Sequence, residues 1–165
     1  KSVRRKVLEH LTINPKQDTT YSLILITVVK DLERMGDYVK NIVELAHHYP
    51  KKLPKISYTK DLTDLSSRIS AVLKDSLNVF RHGDTEKAKE YYRFHREVTE
   101  KTDQMILDLL NEKNIEVKEA VVYALFSRYL KRVTAHLGNI LTTIINPFHL
   151  VGYGYNPKKD EEIEL

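Results

Sequence analysis

Glu33 and Asp37 stand four residues apart in the stretch DLERMGDYVKNI at 31–42, a spacing that puts both carboxylates on one face of a helix. Asn41 continues that line by another turn, and Glu44 lies close to it. Stacked like charges disfavour a helix slightly, so the pair calls for an offset: water, a basic neighbour or a bound cation. All-oxygen ligands of this kind suit hard or intermediate ions, magnesium, calcium, manganese or iron, and not thiophilic ones. Two ligands at i and i+4 are only part of a site, and a neighbouring helix has to add more. Glu97, Glu100 and Asp103 are the candidates on a later helix. Plain solvation is the competing reading, because acidic pairs at this spacing are common on solvent faces, and Arg34 and Lys40 lie nearby.

A weaker copy of the same stretch occurs at 129–140, YLKRVTAHLGNI, 98 residues further on. That offset pairs Leu32 with Leu130, Arg34 with Arg132, Met35 with Val133, Asn41 with Asn139 and Ile42 with Ile140. Apolar positions fall on apolar positions. The acids do not recur: Glu33 meets Lys131 and Asp37 meets Ala135. The chain therefore reads as two copies of one helical unit, with the acidic surface kept in the first only.

The elements that position these residues follow from apolar spacing of three and four. One stripe runs Leu25, Val28, Leu32, Met35, Val39 and Ile42. Others run Leu62, Leu65, Ile69, Val72 and Leu77; Tyr91, Tyr92, Val98, Met105, Leu109 and Leu110; and Val121, Leu125, Leu130, Val133, Leu137 and Ile140. Over such lengths this period gives helices and excludes strands. Pro15, Pro50, Pro54, the Gly83–Asp84 pair, Asn111 to Asn114 and Pro147 punctuate them. Helices are predicted at 1–12, 18–48, 59–82, 84–112 and 115–146, with Asp18, Thr59 and Asp84 as N-caps. Gly36 sits mid-helix, where it costs about 1 kcal/mol against Ala, and close helix packing is the expected reason. The aromatics Phe148 and Tyr153 are expected to fold back on the bundle, and 155–165 to form a mobile C-terminal tail.

Composition narrows the function classes. The 165 residues are 41% hydrophobic and 30% charged, with five Gly and five Pro, a helix-rich profile. Cysteine is absent, which excludes disulfides and thiolate metal sites. No apolar run is long enough to span a bilayer. The net charge of +4 comes from Lys and Arg interspersed with Asp and Glu, an ordinary solvated surface that gives no reason to expect nucleic acid as a partner. The short exceptions are KSVRRK at 1–6 and Lys51, Lys52 and Lys55 in a Pro-containing linker. No Gly-rich loop opens a helix, no nucleophile elbow is present, and the histidines are too scattered for a zinc pattern, so enzymatic activity is not expected.

DLERMGDYVKNI resembles the signature of the PhoU family, all-helical proteins built of two three-helix repeats. The family's third helix carries a Glu-x-x-x-Asp motif after a Leu and before an Asn. Glu33 and Asp37 match its acids, and Leu32, Arg34, Gly36 and Asn41 the surrounding pattern. At 128–140, Arg132, His136 and Asn139 are retained, while Lys131 and Ala135 depart. The resemblance covers nearly the whole chain. It implies an all-α antiparallel bundle with a first repeat at 1–50, truncated at its N-terminus, and a second at 51–154. On the offset, Lys1 is expected to begin partway along a helix that starts upstream of this sequence.

The resemblance further implies a cytoplasmic regulator of phosphate uptake that works by contacting a phosphate transporter component, a sensor kinase or both, with a homodimer as one form. It implies a divalent or iron-type metal at Glu33 and Asp37, supported by Asn41, Glu44, Glu100 or Asp103. A second equal cluster is not expected, and Lys131 is expected to pair with an acid of the first repeat in the cation's place. Related domains also extend sodium–phosphate cotransporter-like membrane proteins, which makes a cytosolic regulatory domain of such a protein one alternative. A metal-free helical interaction domain is another, and a metal-dependent helical enzyme a third.

Overall fold

The computed structural model describes residues 2–13, 19–54, 56–147, 150–152 and 155. These residues form five helices and, among them, no strand: α1 (Ser2–Ile13), α2 (Thr19–His48), α3 (Ser57–His82), α4 (Thr85–Asn111) and α5 (Val117–Ile145). The all-α class read from the apolar period is the observed one.

Local chemistry explains the ends. Gly83 adopts φ 62° and ψ 35°, the left-handed conformation that closes α3, and its N–H bonds to Val79 O. Asp84 then caps α4, its carboxylate accepting from the Lys87 N–H at 3.0 Å. After α5 the Asn146 N–H still reaches Thr142 O, and Pro147 cannot continue the helix. Thr59 is not a cap. α3 begins two residues earlier, behind Ile56, which makes no side-chain cap bond. The Thr59 hydroxyl instead donates to Pro54 O at 2.5 Å and meets the Tyr123 hydroxyl at 2.8 Å. It ties the start of α3 to the otherwise fully buried Tyr123 of α5. Asp18, Phe148 and Tyr153 lie outside the described residues.

α5 is the central element, packed against α2, α3 and α4, while α1 packs on α2. Pairs such as Met105 with Ser127 and Asp103 with Lys131 show that α4 runs antiparallel to α5. Leu62, Leu65 and Ile69 of α3, Val98, Met105 and Leu109 of α4, and Tyr123, Leu130 and Val133 of α5 form the main core. Each fully buried apolar side chain of this size contributes about 1.5–3 kcal/mol. A second cluster joins Val79, Ala88, Leu137 and Leu141. Ser127, Thr134 and Thr142 are buried among these residues. Their hydroxyls are satisfied by carbonyls of their own helix, of Tyr123, Lys131 and Asn139 respectively.

The α3–α4 seam is fastened by charge. Arg68 makes two 2.8 Å bonds to Glu97 and covers the Phe94 ring at 4.7 Å. Asp75 accepts from Lys87 at 2.7 Å and from the Tyr91 hydroxyl at 2.6 Å. Those two donors, Lys87 first, hold the Asp75 carboxyl down at about 2, and Arg68 and Lys101 do the same for Glu97.

Three expectations about packing differ from what the structure shows. Gly36 faces open space, so helix approach is not its reason; the close approach occurs at Gly138, where an added Cβ meets the His95 ring at 3.0 Å. Leu32, Val39, Leu77, Leu110 and Val121, read as core stripes, are exposed. Tyr155, the first residue of the stretch expected to be mobile, is buried and meets Tyr92 edge-on at 6.0 Å.

The exposed positions are not random. Leu32, Gly36, Val39 and Val43 form one open face of α2. Their counterparts 98 residues on, Leu130, Thr134, Leu137 and Leu141, are 3% exposed or less. The same face is covered by α3 and α4 on α5 and by nothing comparable among the described residues on α2.

Candidate functional site

α2 carries every residue of the acidic motif, and its packing against α5 decides which of them are free. Asp31, at the head of the motif, occupies a core position in the register Val28, Asp31, Met35, Tyr38, Ile42 and is buried. Its Oδ1 lies 2.7 Å from His136 Nδ1 and accepts from Asn139 Nδ2 at 3.2 Å. With the carboxylate ionised it can only accept, which makes His136 Nδ1 the donor of this bond. Tyr38 stacks on the His136 ring at 5.8 Å between centroids and also meets Tyr129 at 6.2 Å. A buried acid with two partners on α5, beside the stacked Tyr38 and His136 rings, thus joins α2 to α5.

This junction maps onto itself under the 98-residue offset. Asp31 corresponds to Tyr129, and His136 to Tyr38. The Asp31–His136 contact therefore exchanges with the Tyr38–Tyr129 contact, and both are present. α2 and α5 meet through equivalent faces.

Glu33 and Asp37 lie outside the junction on the solvent side. Their side chains are 48% and 59% exposed. Arg4 of α1 approaches Glu33 at 3.8 Å and Arg34 approaches Asp37 at 3.9 Å, so a basic neighbour stands by each acid. Exposed pairs at such distances are worth little, about 0–1 kcal/mol. Asn41 is half-buried one turn on. Glu44 is held by Lys40 at 3.3 Å; with His47 it has the i,i+3 spacing of a metal-binding pair. Asp103 on α4 binds Lys131 of α5 at 2.6 Å, and Glu97 is taken by Arg68 and Lys101. Lys131 thus pairs with Asp103 of α4 and not, as expected, with an acid near the first motif. Glu100 is exposed on α4, which packs on α3 and α5.

The donor set does not make a metal cage by itself. Among the described residues no three His, Asp or Glu side chains gather in a group able to hold an ion. Two exposed carboxylates leave most positions of a hard cation unfilled. Asp31, in the same stretch, is turned inward to His136.

Sequence reading missed Asp31 and His95. The signal for Asp31 was available: an acid in an apolar helical register must find buried partners. His95 gives no such signal. It lies against Gly138, with Nδ1 3.3 Å from the Thr134 hydroxyl and the Tyr92 ring edge-on at 5.7 Å. Burial, then the charges of Arg96 and Lys131, push its imidazole below the usual value.

Comparison with known proteins agrees with the bundle. The family model for the PhoU domain matches residues 1–46 and 62–144, which is α1, nearly all of α2, α3 from its second turn, α4 and nearly all of α5. A Thermotoga maritima protein, "Phosphate-specific transport system accessory protein PhoU homolog 1", is 30% identical over 127 residues, 73% of this chain and 55% of that protein. A Clostridium acetobutylicum protein, "Phosphate-specific transport system accessory protein PhoU homolog", is 21% identical over 158 residues, 88% of this chain and 68% of that protein. The chain thus spans about half the length of the Thermotoga relative. No solved structure matches it significantly.

Proposed function

The chain belongs to the PhoU domain family, and from that premise we propose that it is a regulatory module of phosphate uptake acting through protein contacts. The observation that carries this reading is the family match across the whole helical bundle, together with relatives named as accessory proteins of phosphate transport. Its partners in this reading are a phosphate transporter component, a sensor kinase or both, met from the cytoplasmic side. No helix among the described residues is long and apolar enough to cross a membrane. No catalytic role is part of the proposal.

We further propose that the chain is organised as two copies of one helical unit. Support comes from the contacts that exchange under the 98-residue offset and from the equivalent faces of α2 and α5.

The metal-free form of this module is the reading the acidic face favours, because Glu33 and Asp37 have arginines beside them and no third ligand group. A metal at this motif would have water or further ligands in the positions that two carboxylates leave. Elemental analysis of the purified protein and of Glu33→Ala/Asp37→Ala decides it: metal present at stoichiometric level and lost in the variant restores the metal-bound form.

The regulatory reading is tested in a bacterium lacking its own PhoU-type regulator. Expression of the chain is expected to change phosphate uptake and the phosphate-responsive transcription of a reporter. Unchanged uptake and transcription, with no binding to purified transporter ATPase or sensor kinase, sinks it.

A further inference from the structure

An apolar trough of about 330 Å³ opens between the end of α2, the α2–α3 connection and the start of α5. Ile42, Leu45 and Ala46 form one wall, and Val122 and Phe126 the other. Lys51 and Lys52 line its rim from the connection, both exposed and neither in an ion pair among the described residues. Glu119 sits at the opposite, α5 side, where Tyr49 donates to it at 3.5 Å. Among the residues lining the trough, the cations are thus Lys51 and Lys52 on the connection side. The family match covers residues 1–46 and 62–144, so both lysines lie in the connection between the matched stretches.

We propose that this trough docks an acidic amphipathic peptide segment of a partner protein. Its apolar side chains fill the space between α2 and α5, and its carboxylates meet Lys51 and Lys52. Two adjacent unpaired cations beside an uncovered apolar surface are the complement of such a segment, an amphipathic stretch laid in a groove and oriented by charge. The volume suits a few aliphatic side chains, at the lower end of the usual range of roughly 300–1,000 Å³ for ligand clefts. The inference deepens the regulatory reading and rests on it, naming the chemistry of the partner surface.

The test uses the full chain and a fluorescent peptide of repeating Glu-Glu-Leu-Leu pattern, with the Lys-Lys-Leu-Leu counterpart as control. Saturable binding of the acidic peptide is expected, with the lysine peptide failing to bind. Charge reversal in Lys51→Glu/Lys52→Glu and filling of the trough in Ala46→Trp are each expected to weaken it by about tenfold or more. Ala46 and both lysines are exposed, so the variants should keep the helical circular dichroism of the parent. Equal affinity in parent and variants overturns the proposal. So does equal affinity for the two peptides, or a preference of the lysine pair for anionic phosphatidylglycerol vesicles over the peptide. A chain that fails here and still alters phosphate uptake loses the trough and keeps the regulatory reading. A chain that binds the peptide through Lys51 and Lys52 and leaves uptake unchanged keeps the trough and loses that reading.

Discussion

Asp31 is the residue on which the α2–α5 junction turns. It is 5% exposed and holds the donors of His136 and Asn139. Asp31→Ala removes two hydrogen bonds to half-buried groups, each worth about 0.5–1.5 kcal/mol. Urea unfolding should show a loss of that size, while Asp37→Ala on the exposed face should stay within about 0.5 kcal/mol. Equal effects at the two positions would mean that the junction is not held by Asp31. His95 makes a pH prediction. Its folded pKa is depressed by burial, so the unfolded chain takes up a proton at about pH 6.5 that the folded chain refuses until lower pH. Stability contributed by the neutral form is thus present above about pH 6.5 and declines below it. Urea titrations at about pH 7.5 and 5.5 should show a larger fall for the native chain than for His95→Gln, and identical falls would contradict the buried neutral imidazole.

Two glycines test the packing of helices as elements. Gly36 and Gly138 both sit inside helices and both cost helix propensity. Around Gly36 no atom lies within 4 Å of an added Cβ, so Gly36→Ala is expected to stabilise by about 0.5–1 kcal/mol. At Gly138 the Cβ would stand 3.0 Å from the His95 ring, itself fixed by Thr134 and Tyr92. The push on that ring, about 1–3 kcal/mol, outweighs the propensity gain, and Gly138→Ala should destabilise. Thermal or urea midpoints moving in the same direction for both variants would show that α4 does not approach α5 as closely as this. The same logic explains Ser127, Thr134 and Thr142: small side chains let α4 and the post-α5 turn close on α5, and Thr142 accepts the Gly152 N–H at 2.9 Å.

For the molecule as a whole, the asymmetry between α2 and α5 matters most. Leu32 and Leu130 are equivalent in the offset, yet Leu32 is 52% exposed and Leu130 only 3%. Leu130→Ala should cost about 2–5 kcal/mol, as large-to-small changes in cores do. Leu32→Ala should stay within about 0.5 kcal/mol. Comparable losses measured by chemical denaturation would show that the α2 face is covered in solution. An uncovered stripe of Leu32, Val39 and Val43 also separates surface from core where sequence spacing cannot, because both helices carry the same apolar period.

The number and nature of the helices were legible in the chain, down to the Gly83–Asp84 turn and the stop before Pro147, because helical period and capping are local properties. The sequence also carries an apolar register that recurs after 98 residues. What only the tertiary structure decided is which face meets which. Asp31 finds His136 across 105 residues, Lys131 takes Asp103 and not an acid of α2, and Gly138, not Gly36, is where helices touch. A helix repeats its faces every 3.6 residues whatever stands beside it; which face is buried depends on the neighbour, and α3 and α4 pack closely on α5 while α1 packs on α2.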